Sequence, residues 1–264
     1  MGASNTFNHQ KLKSAILTQL KAQSKQGKKH LAVLIDPDSI ASEQQLITIC
    51  EHSNASKVDY ILVGGSLITN GFFDTCVRII KQHTGIPVVL FPGNIMQVNK
   101  EADGILFLSL ISGRNPDLLI GKHVLAAPML KHSGIEIIPT GYMLIDGGNT
   151  TSVSYMSNTT PIPSEKNGIA ACTAMAGEML GLQVIYMDAG SGAQQSIPTA
   201  LISAVRENVE APIFIGGGIK TPLAAIAACK AGADVVVVGN AFEKDPLLIQ
   251  EIAEAVHGFQ QKSM

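Results

Sequence analysis

The sequence predicts an α/β fold, a TIM (β/α)8 barrel, and three observations carry that expectation. Short apolar runs alternate with amphipathic stretches along the chain, the pattern of parallel strands buried on both faces and covered by helices. Two glycine turns lie near the end, Ile215-Gly216-Gly217-Gly218-Ile219-Lys220 and Val238-Gly239-Asn240-Ala241, each directly after a β-branched apolar run. Glycine at a strand end lets backbone N–H groups approach an anion, and a following helix points its positive end at the same spot. In such a barrel, paired turns after strands 7 and 8 form a phosphate site at the C-terminal face. Finally, 264 residues, 46% of them hydrophobic, suit one barrel without a linker, so 1–264 reads as a single domain.

In chain order, an N-terminal helix over about 8–26, within a leading segment 1–28, is placed to plug the bottom of the barrel. Strands are expected at 31–35, 60–63, 87–91, 104–110, 135–145, 184–187, 212–215 and 235–238. Apolar residues at helical spacing predict helices at 43–53, 71–83, 115–131, 167–180, 199–207, 222–231 and 246–257. After the third strand, 94–103 is short and weakly periodic, so the third helix should be truncated or irregular. The stretch 147–166, with its Gly-Gly-Asn, its Ser/Thr-rich run and Pro161-Ile162-Pro163, reads as a loop on the active face acting as a lid.

Composition removes several classes of function. Lys and Arg number 19 against 21 Asp and Glu, with no basic run beyond 25–30, which argues against nucleic acid as a partner. Cys50, Cys76, Cys172 and Cys229 show neither CxxC nor metal-site spacing and read as buried reduced thiols of a cytoplasmic protein. No apolar run reaches the roughly 18 to 20 residues of a membrane span, and no signal-peptide core is seen. A lipid substrate drawn from a membrane surface, with transient contact there, stays open. The seven histidines have no metal or triad spacing and are expected mostly at the surface. Nucleophilic serine or cysteine lacks partners, so catalysis should rest on a metal and anion contacts.

Asp36-Pro37-Asp38 ends strand 1, where one or both carboxylates could hold Mg2+, which takes hard oxygen ligands and needs only one or two carboxylates from protein. Helix capping is the alternative for either residue, stronger for Asp38. Gly64-Gly65-Ser66 ends strand 2 with two bare backbone positions and a hydroxyl. Tyr186-Met187-Asp188-Ala189-Gly190-Ser191-Gly192 ends strand 6, and Asp188 is the best general-base or hydroxyl-orienting candidate. Tyr142 lies in strand 5, facing either into the barrel or outward.

Together with Phe91-Pro92-Gly93-Asn94 and Pro139-Thr140-Gly141-Tyr142, these strand-end motifs resemble the geranylgeranylglyceryl phosphate synthase family at every strand end except the fourth. The resemblance implies a modified TIM barrel with a degenerate third helix. It implies an enzyme joining a polyprenyl diphosphate, with geranylgeranyl favoured, to sn-glycerol 1-phosphate through an ether bond, the first step of ether-lipid assembly. Carried over by position, Asp36 and Ser66 would contact Mg2+. Tyr186, Met187, Asp188, Ala189, Gly190, Ser191 and Gly192, with Gly217, Gly218, Gly239 and Asn240, would hold sn-glycerol 1-phosphate. Asp188 would orient the attacking hydroxyl and accept its proton, with Tyr142 beside the glycerol or the start of the prenyl chain. A homo-oligomer is also implied. Two departures stand out. The strand 6 carboxylate, often Glu in the family, is Asp188 here, one methylene shorter. The heptaprenyl branch has a lysine two positions before the strand 1 aspartate, where this chain has Leu34, so it looks like the archaeal-type branch or its bacterial members. A phosphosugar isomerase, an FMN oxidoreductase or a phosphometabolite sensor would use the same glycine turns.

Overall fold

The structure, a computed structural model, describes residues 15–259. Eight parallel strands close in sequence order, β1 (His30–Ile35), β2 (Tyr60–Val63), β3 (Val88–Leu90), β4 (Gly104–Leu110), β5 (Glu136–Leu144), β6 (Val184–Asp188), β7 (Ile213–Gly216) and β8 (Val235–Val238). Ladder partners such as Ala32↔Tyr60 and His30↔Val235 tie β1 to both neighbours and so close the ring. The strands are continuous apolar runs because both of their faces are covered. Inward side chains including Ala32, Leu62, Leu106, Ile138, Tyr186, Phe214 and Val237 fill the barrel, while outward ones pack beneath the helices.

The floor is closed by α1 (Ala15–Lys25), whose Leu20 is fully buried in the barrel interior. The Glu136 carboxylate, from the first residue of β5, accepts from the backbone N–H groups of Ile16 at 2.8 Å and Leu17 at 2.9 Å. A negative charge is thus laid against the positive end of the helix that plugs the barrel. The expected plug is present, and its positions 8–14 lie outside the described residues.

The outer layer consists of α2 (Glu43–Ala55), α3 (Phe73–His83), α4 (Lys122–Ser133), α5 (Ser152–Ser157), α6 (Asn167–Met179), α7 (Thr199–Arg206), α8 (Pro222–Ala231), α9 (Asn240–Lys244) and α10 (Leu248–His257). The helix expected over 115–131 is divided. A π-helical turn, Asp117–Gly121, precedes α4, and Asn115, which the sequence places in the helix, hydrogen-bonds the Asp117 backbone and the Ser157 carbonyl instead. No helix lies between β3 and β4, as the weak periodicity predicts. Its place is taken by turns around Gln97, which is 2% exposed. The Gln97 amide donates to the Gly65 carbonyl at 2.8 Å and accepts from Gly93 N–H at 3.0 Å, tying the loops after β2 and β3 together. Glycine is required there: a Cβ on Gly64, at φ 152°, would stand 2.1 Å from the Phe91 carbonyl oxygen.

Among the cysteines, Cys50, Cys76 and Cys229 are buried, and burial pushes their thiols up to about 12, 12 and 11. Cys172 corrects the expectation, standing exposed on α6. His30 and His123 are buried exceptions to the surface reading of the histidines, which His52, His83, His132 and His257 follow as partly or fully exposed side chains.

Candidate active site

The C-terminal ends of the strands open into a cavity of about 810 Å3. Asp36, Gly64 to Leu67, Tyr142, Tyr186, Asp188, Gly190 to Gly192, Gly217, Gly218, Gly239 and Asn240 line it, so residues spread across two hundred positions of sequence converge there. Within the sequence-predicted set, Met187 is fully buried in the layer between strands and helices, and Ala189 lies beneath the turn; neither lines the cavity. Both are corrected to supports of the site. The period of two along β6 explains this, since Tyr186 and Asp188 point inward and Met187 outward.

Asp188 is 7% exposed. One carboxylate oxygen accepts from Gly190 N–H at 2.8 Å and the other from the Tyr142 hydroxyl at 2.6 Å. Burial pushes the Asp188 carboxyl above its ordinary value, and these two donors pull back against it. Tyr142 faces inward, and burial beside Asp188 raises its phenol well above 10, so it remains a neutral donor. Beneath the pair, Phe91 stacks on Tyr186 with centroids 5.0 Å apart, and Tyr142 meets both rings edge-on at 5.7 and 5.5 Å. This gives the cavity an aromatic floor with a carboxylate at its edge. Phe91 was visible in the strand 3 motif, although nothing in its spacing marked it as part of the floor.

The two glycine turns meet as expected. Gly217 and Gly218 have φ of 79° and 72°. A Cβ on Gly217 would stand 2.7 Å from Gly190 N and 2.8 Å from an Asp188 carboxylate oxygen, so the β7 turn presses against the β6 turn. The Ser191 hydroxyl donates to the Asn240 side-chain oxygen at 3.0 Å, joining the β6 turn to the start of α9. The result is a concave set of backbone N–H groups suited to a phosphate.

On the opposite side, the Asp36 carboxylate lies over Gly65, where a Cβ would stand 2.9 Å from both of its oxygens. It also caps the short 3-10 turn Pro37–Ser39, accepting from Asp38 N–H at 3.0 Å. Burial, with the charge of Asp38 nearby, raises its carboxyl above the ordinary value. Ser66, the other sequence-predicted metal contact, lines the same wall. Asp38 itself turns away to accept from Thr69 N–H and hydroxyl, each at 2.8 Å, and from Asn70 N–H at 3.2 Å. These bonds lower its carboxyl, and they fasten the loop after β2 rather than cap a helix. Glu243 and Lys220 also line the cavity, and Glu243 accepts from Asp36 N–H at 3.4 Å. Sequence reasoning passed over both; Lys220, at the end of the quoted glycine turn, was the more visible. Half-buried Asp36, with Ser66 and Glu243 lining the same cavity, offers hard oxygen donors of the kind Mg2+ takes, one or two carboxylates at a time, although among the described residues no group of three or more His, Cys, Asp or Glu side chains gathers as a metal centre.

The stretch 147–166 holds α5, capped by Thr151 and Ser154 in a reciprocal capping box, and returns through a bridge between Ile145 and Ile162. Thr151, Val153 and Met156 thereby roof the cavity. From this roof a second, narrow and mainly apolar space of about 180 Å3 runs down the outside of β4, where the third helix is missing. It shares Ser66, Leu67, Tyr142, Val153 and Met156 with the polar cavity and continues past Phe107 and His123 to Ile105, Ala126 and Leu130. Of this groove the sequence had singled out Ser66 and Tyr142 at the junction and the Pro92-Gly93-Asn94 motif, but not the groove itself. Along β4 from Leu110 to Ile105 it covers roughly 17 Å.

Residues 23–256 match the PcrB family. The geranylgeranylglyceryl phosphate synthase of Chitinophaga pinensis is 57% identical over 231 residues, covering 88% of this chain and 91% of the relative. That of Methanosphaera stadtmanae is 39% identical, covering 88% and 96%. The crystal structure of (S)-3-O-geranylgeranylglyceryl phosphate synthase from Thermoplasma acidophilum in complex with substrate sn-glycerol-1-phosphate superposes with a TM-score of 0.86 at 30% identity, over 92% of this chain and 98% of that one. The barrel without its third helix, the glycine cradle and these likenesses together make the chain a member of the PcrB family and of the geranylgeranylglyceryl phosphate synthase-like prenyltransferases within it.

Proposed function

We propose that this enzyme transfers a polyprenyl group, geranylgeranyl by preference, from its diphosphate to sn-glycerol 1-phosphate, forming an ether bond and releasing diphosphate in the first step of ether-lipid assembly. The observation that carries the proposal is the junction at Tyr142, where a polar cavity with a phosphate cradle opens directly into an apolar groove. A sugar-phosphate isomerase or a phosphate sensor has no use for such a groove.

In this reading the backbone of Gly217, Gly218, Gly239 and Asn240 binds the phosphate of sn-glycerol 1-phosphate, while the turn from Tyr186 to Gly192 holds the glycerol. Asp36 and Ser66, with Glu243 nearby, would hold Mg2+, and this ion, when bound, neutralises charge developing on the departing diphosphate. The terminal glycerol oxygen bonds to the first prenyl carbon as the bond from that carbon to the diphosphate oxygen breaks. An allylic carbon shares its positive charge over the double bond, so a weak nucleophile suffices. Asp188, already raised by burial, accepts the hydroxyl proton. Tyr142 holds the Asp188 carboxylate by its hydrogen bond, and the aromatic floor keeps water from the reacting carbon. A cytoplasmic location belongs to the same proposal; among the described residues no helix is long and apolar enough to cross a membrane.

Purified protein incubated with Mg2+, radiolabelled sn-glycerol 1-phosphate and prenyl diphosphates of increasing length should give label that enters organic solvent after phosphatase treatment, with a maximum at geranylgeranyl. The absence of extractable label with every donor would overturn the proposal.

A further inference from the structure

The polar cavity holds little positive charge. Three carboxylates line it, those of Asp36, Asp188 and Glu243, and Lys220 is the one Lys, Arg or His among its described lining residues. Lys122 and His123 belong to the apolar groove and not to the cavity. A phosphate monoester brings a charge of about −1.5 to −2 at pH 7. Besides the backbone of the glycine turns, this single side-chain cation is what the chain sets against it.

Position narrows its partner. Lys220 directly follows Gly217, Gly218 and Ile219 of the β7 turn. That turn is pressed along the β6 turn, since a Cβ on Gly217 would stand 2.7 Å from Gly190 N and one on Gly218 would stand 2.6 Å from the Gln195 carbonyl oxygen. The Lys220 ammonium bridges the same seam, donating to the Ala193 carbonyl at 3.2 Å. Ala193 is buried, and its own N–H donates to the Gly190 carbonyl at 3.2 Å, so the ammonium meets the end of the turn that carries Gly190, Ser191 and Gly192 into the cavity. Among the described residues no carboxylate comes within ion-pair distance of Lys220. An ammonium has three donors, and two are left for a ligand.

We propose that Lys220 is the side-chain cation of the phosphate cradle, reaching the phosphate of the acceptor while its bond to Ala193 holds the β6 turn in place. The proposal rests on sn-glycerol 1-phosphate as the acceptor. It makes Lys220 a binding residue for that substrate alone, because the wall of Asp36 and Ser66 follows β1 and β2, two and three strands away from β7 around the ring.

The test compares the full wild-type chain with Lys220→Gln, which removes the charge but keeps a donor on a stem one bond shorter, and with Lys220→Arg, which keeps the charge. Calorimetric titration with inorganic phosphate and with sn-glycerol 1-phosphate, neither of which needs a prenyl donor, should show affinity lowered roughly ten-fold or more in Lys220→Gln and largely kept in Lys220→Arg. Raising NaCl from about 50 to 500 mM should weaken binding to wild type more than to Lys220→Gln, a readout that loss of the bond to Ala193 alone would not move. In prenyl transfer the loss should fall on KM for sn-glycerol 1-phosphate, with KM for the prenyl diphosphate unchanged. Equal affinity in all three proteins overturns the proposal and leaves the prenyl-transfer reading standing. A rise in KM confined to the prenyl diphosphate assigns Lys220 to the leaving group and overturns it too. So does an equal loss in Lys220→Gln and Lys220→Arg with no difference in salt dependence, which reduces Lys220 to a fastener of the β6 turn. Wild-type protein that binds neither anion overturns both readings. Phosphate binding weakened in Lys220→Gln, without transfer from any donor, keeps the role of Lys220 and removes the prenyl reading.

Discussion

At the N-terminal floor of the barrel, the buried carboxylate of Asp234 meets opposite charge; at the C-terminal mouth, the carboxylates of Asp188 and Asp36 meet only neutral donors among the described residues. On the floor, Asp234, 4% exposed, lies 3.0 Å from Arg206 and 3.5 Å from the equally buried Lys29, and also accepts from Ile213 N–H at 2.9 Å. At the mouth, Asp188 has Tyr142 and Gly190, and Asp36 has the Asp38 N–H. The two mouth carboxyls are raised by burial as a consequence. The contrast separates two uses of a carboxylate, since a paired one holds strands and helices in register and an unpaired one retains its affinity for a proton or a cation.

The comparison breaks most sharply at Asp234. Replacement by Asn leaves Lys29 buried without its anion, and should lower unfolding free energy by about 3 to 5 kcal/mol. Turnover at temperatures well below the transition should be unchanged. Urea titration followed by far-UV circular dichroism measures the first, and the prenyl-transfer assay the second. Asp188→Asn should do the reverse. The amide can still accept from Gly190 and donate toward Tyr142, so stability should shift by no more than about 1 kcal/mol, while kcat falls by about 10²-fold or more if Asp188 accepts the proton. A folded Asp188→Asn enzyme with normal kcat would remove Asp188 from the chemistry.

How far each end was legible in the sequence follows the same division. The mouth was readable because its parts sit at strand ends beside glycines, as in Asp188-Ala189-Gly190 and Gly216-Gly217-Gly218, where backbone demands leave a local trace. On the floor the plugging helix was expected, but its charge contacts were not legible, because those partners are paired only by folding. Glu136 caps a helix 120 residues upstream, and Asp234 meets Lys29 across 205 residues. Gln97 escaped for a similar reason, since its amide replaces the missing third helix by joining two loops rather than by any periodic pattern. Asp38 was ambiguous in sequence because Asp-Pro-Asp serves a cap and a metal equally well. Only the position of Thr69 and Asn70 decides that Asp38 faces them.

Asp36→Asn sharpens the comparison within the mouth. On the proposal that Asp36 helps to hold Mg2+, its removal should raise the Mg2+ concentration for half-maximal activity by roughly ten-fold, with a smaller change in rate at saturating metal. A metal titration superimposable on that of the wild type would refute ligation by Asp36.

The smallest effect expected is a difference in the pH dependence of stability between the two ends. Burial lowers the pKa of His30 on the floor below 6.5, despite the nearby Asp59 and the Asp234 carbonyl, and burial lowers that of His123 as well. The unfolded chain therefore takes up protons that the folded chain resists, and stability declines as pH falls below 6.5, by at most about 1.4 kcal/mol per pH unit for each histidine. The mouth carboxyls act with the opposite sign. With Asp188 and Asp36 held above 3.8, the folded chain binds their protons first, and acidification through that range relieves the cost of burying their charge. Chemical unfolding across pH 7.5 to 3.5, a range that roughly spans the ordinary values of both kinds of group, should thus show a steeper acid loss in Asp188→Asn than in wild type, and a shallower one in His30→Gln. Parallel curves for all three proteins would mean that neither end holds its proton balance through the burial described.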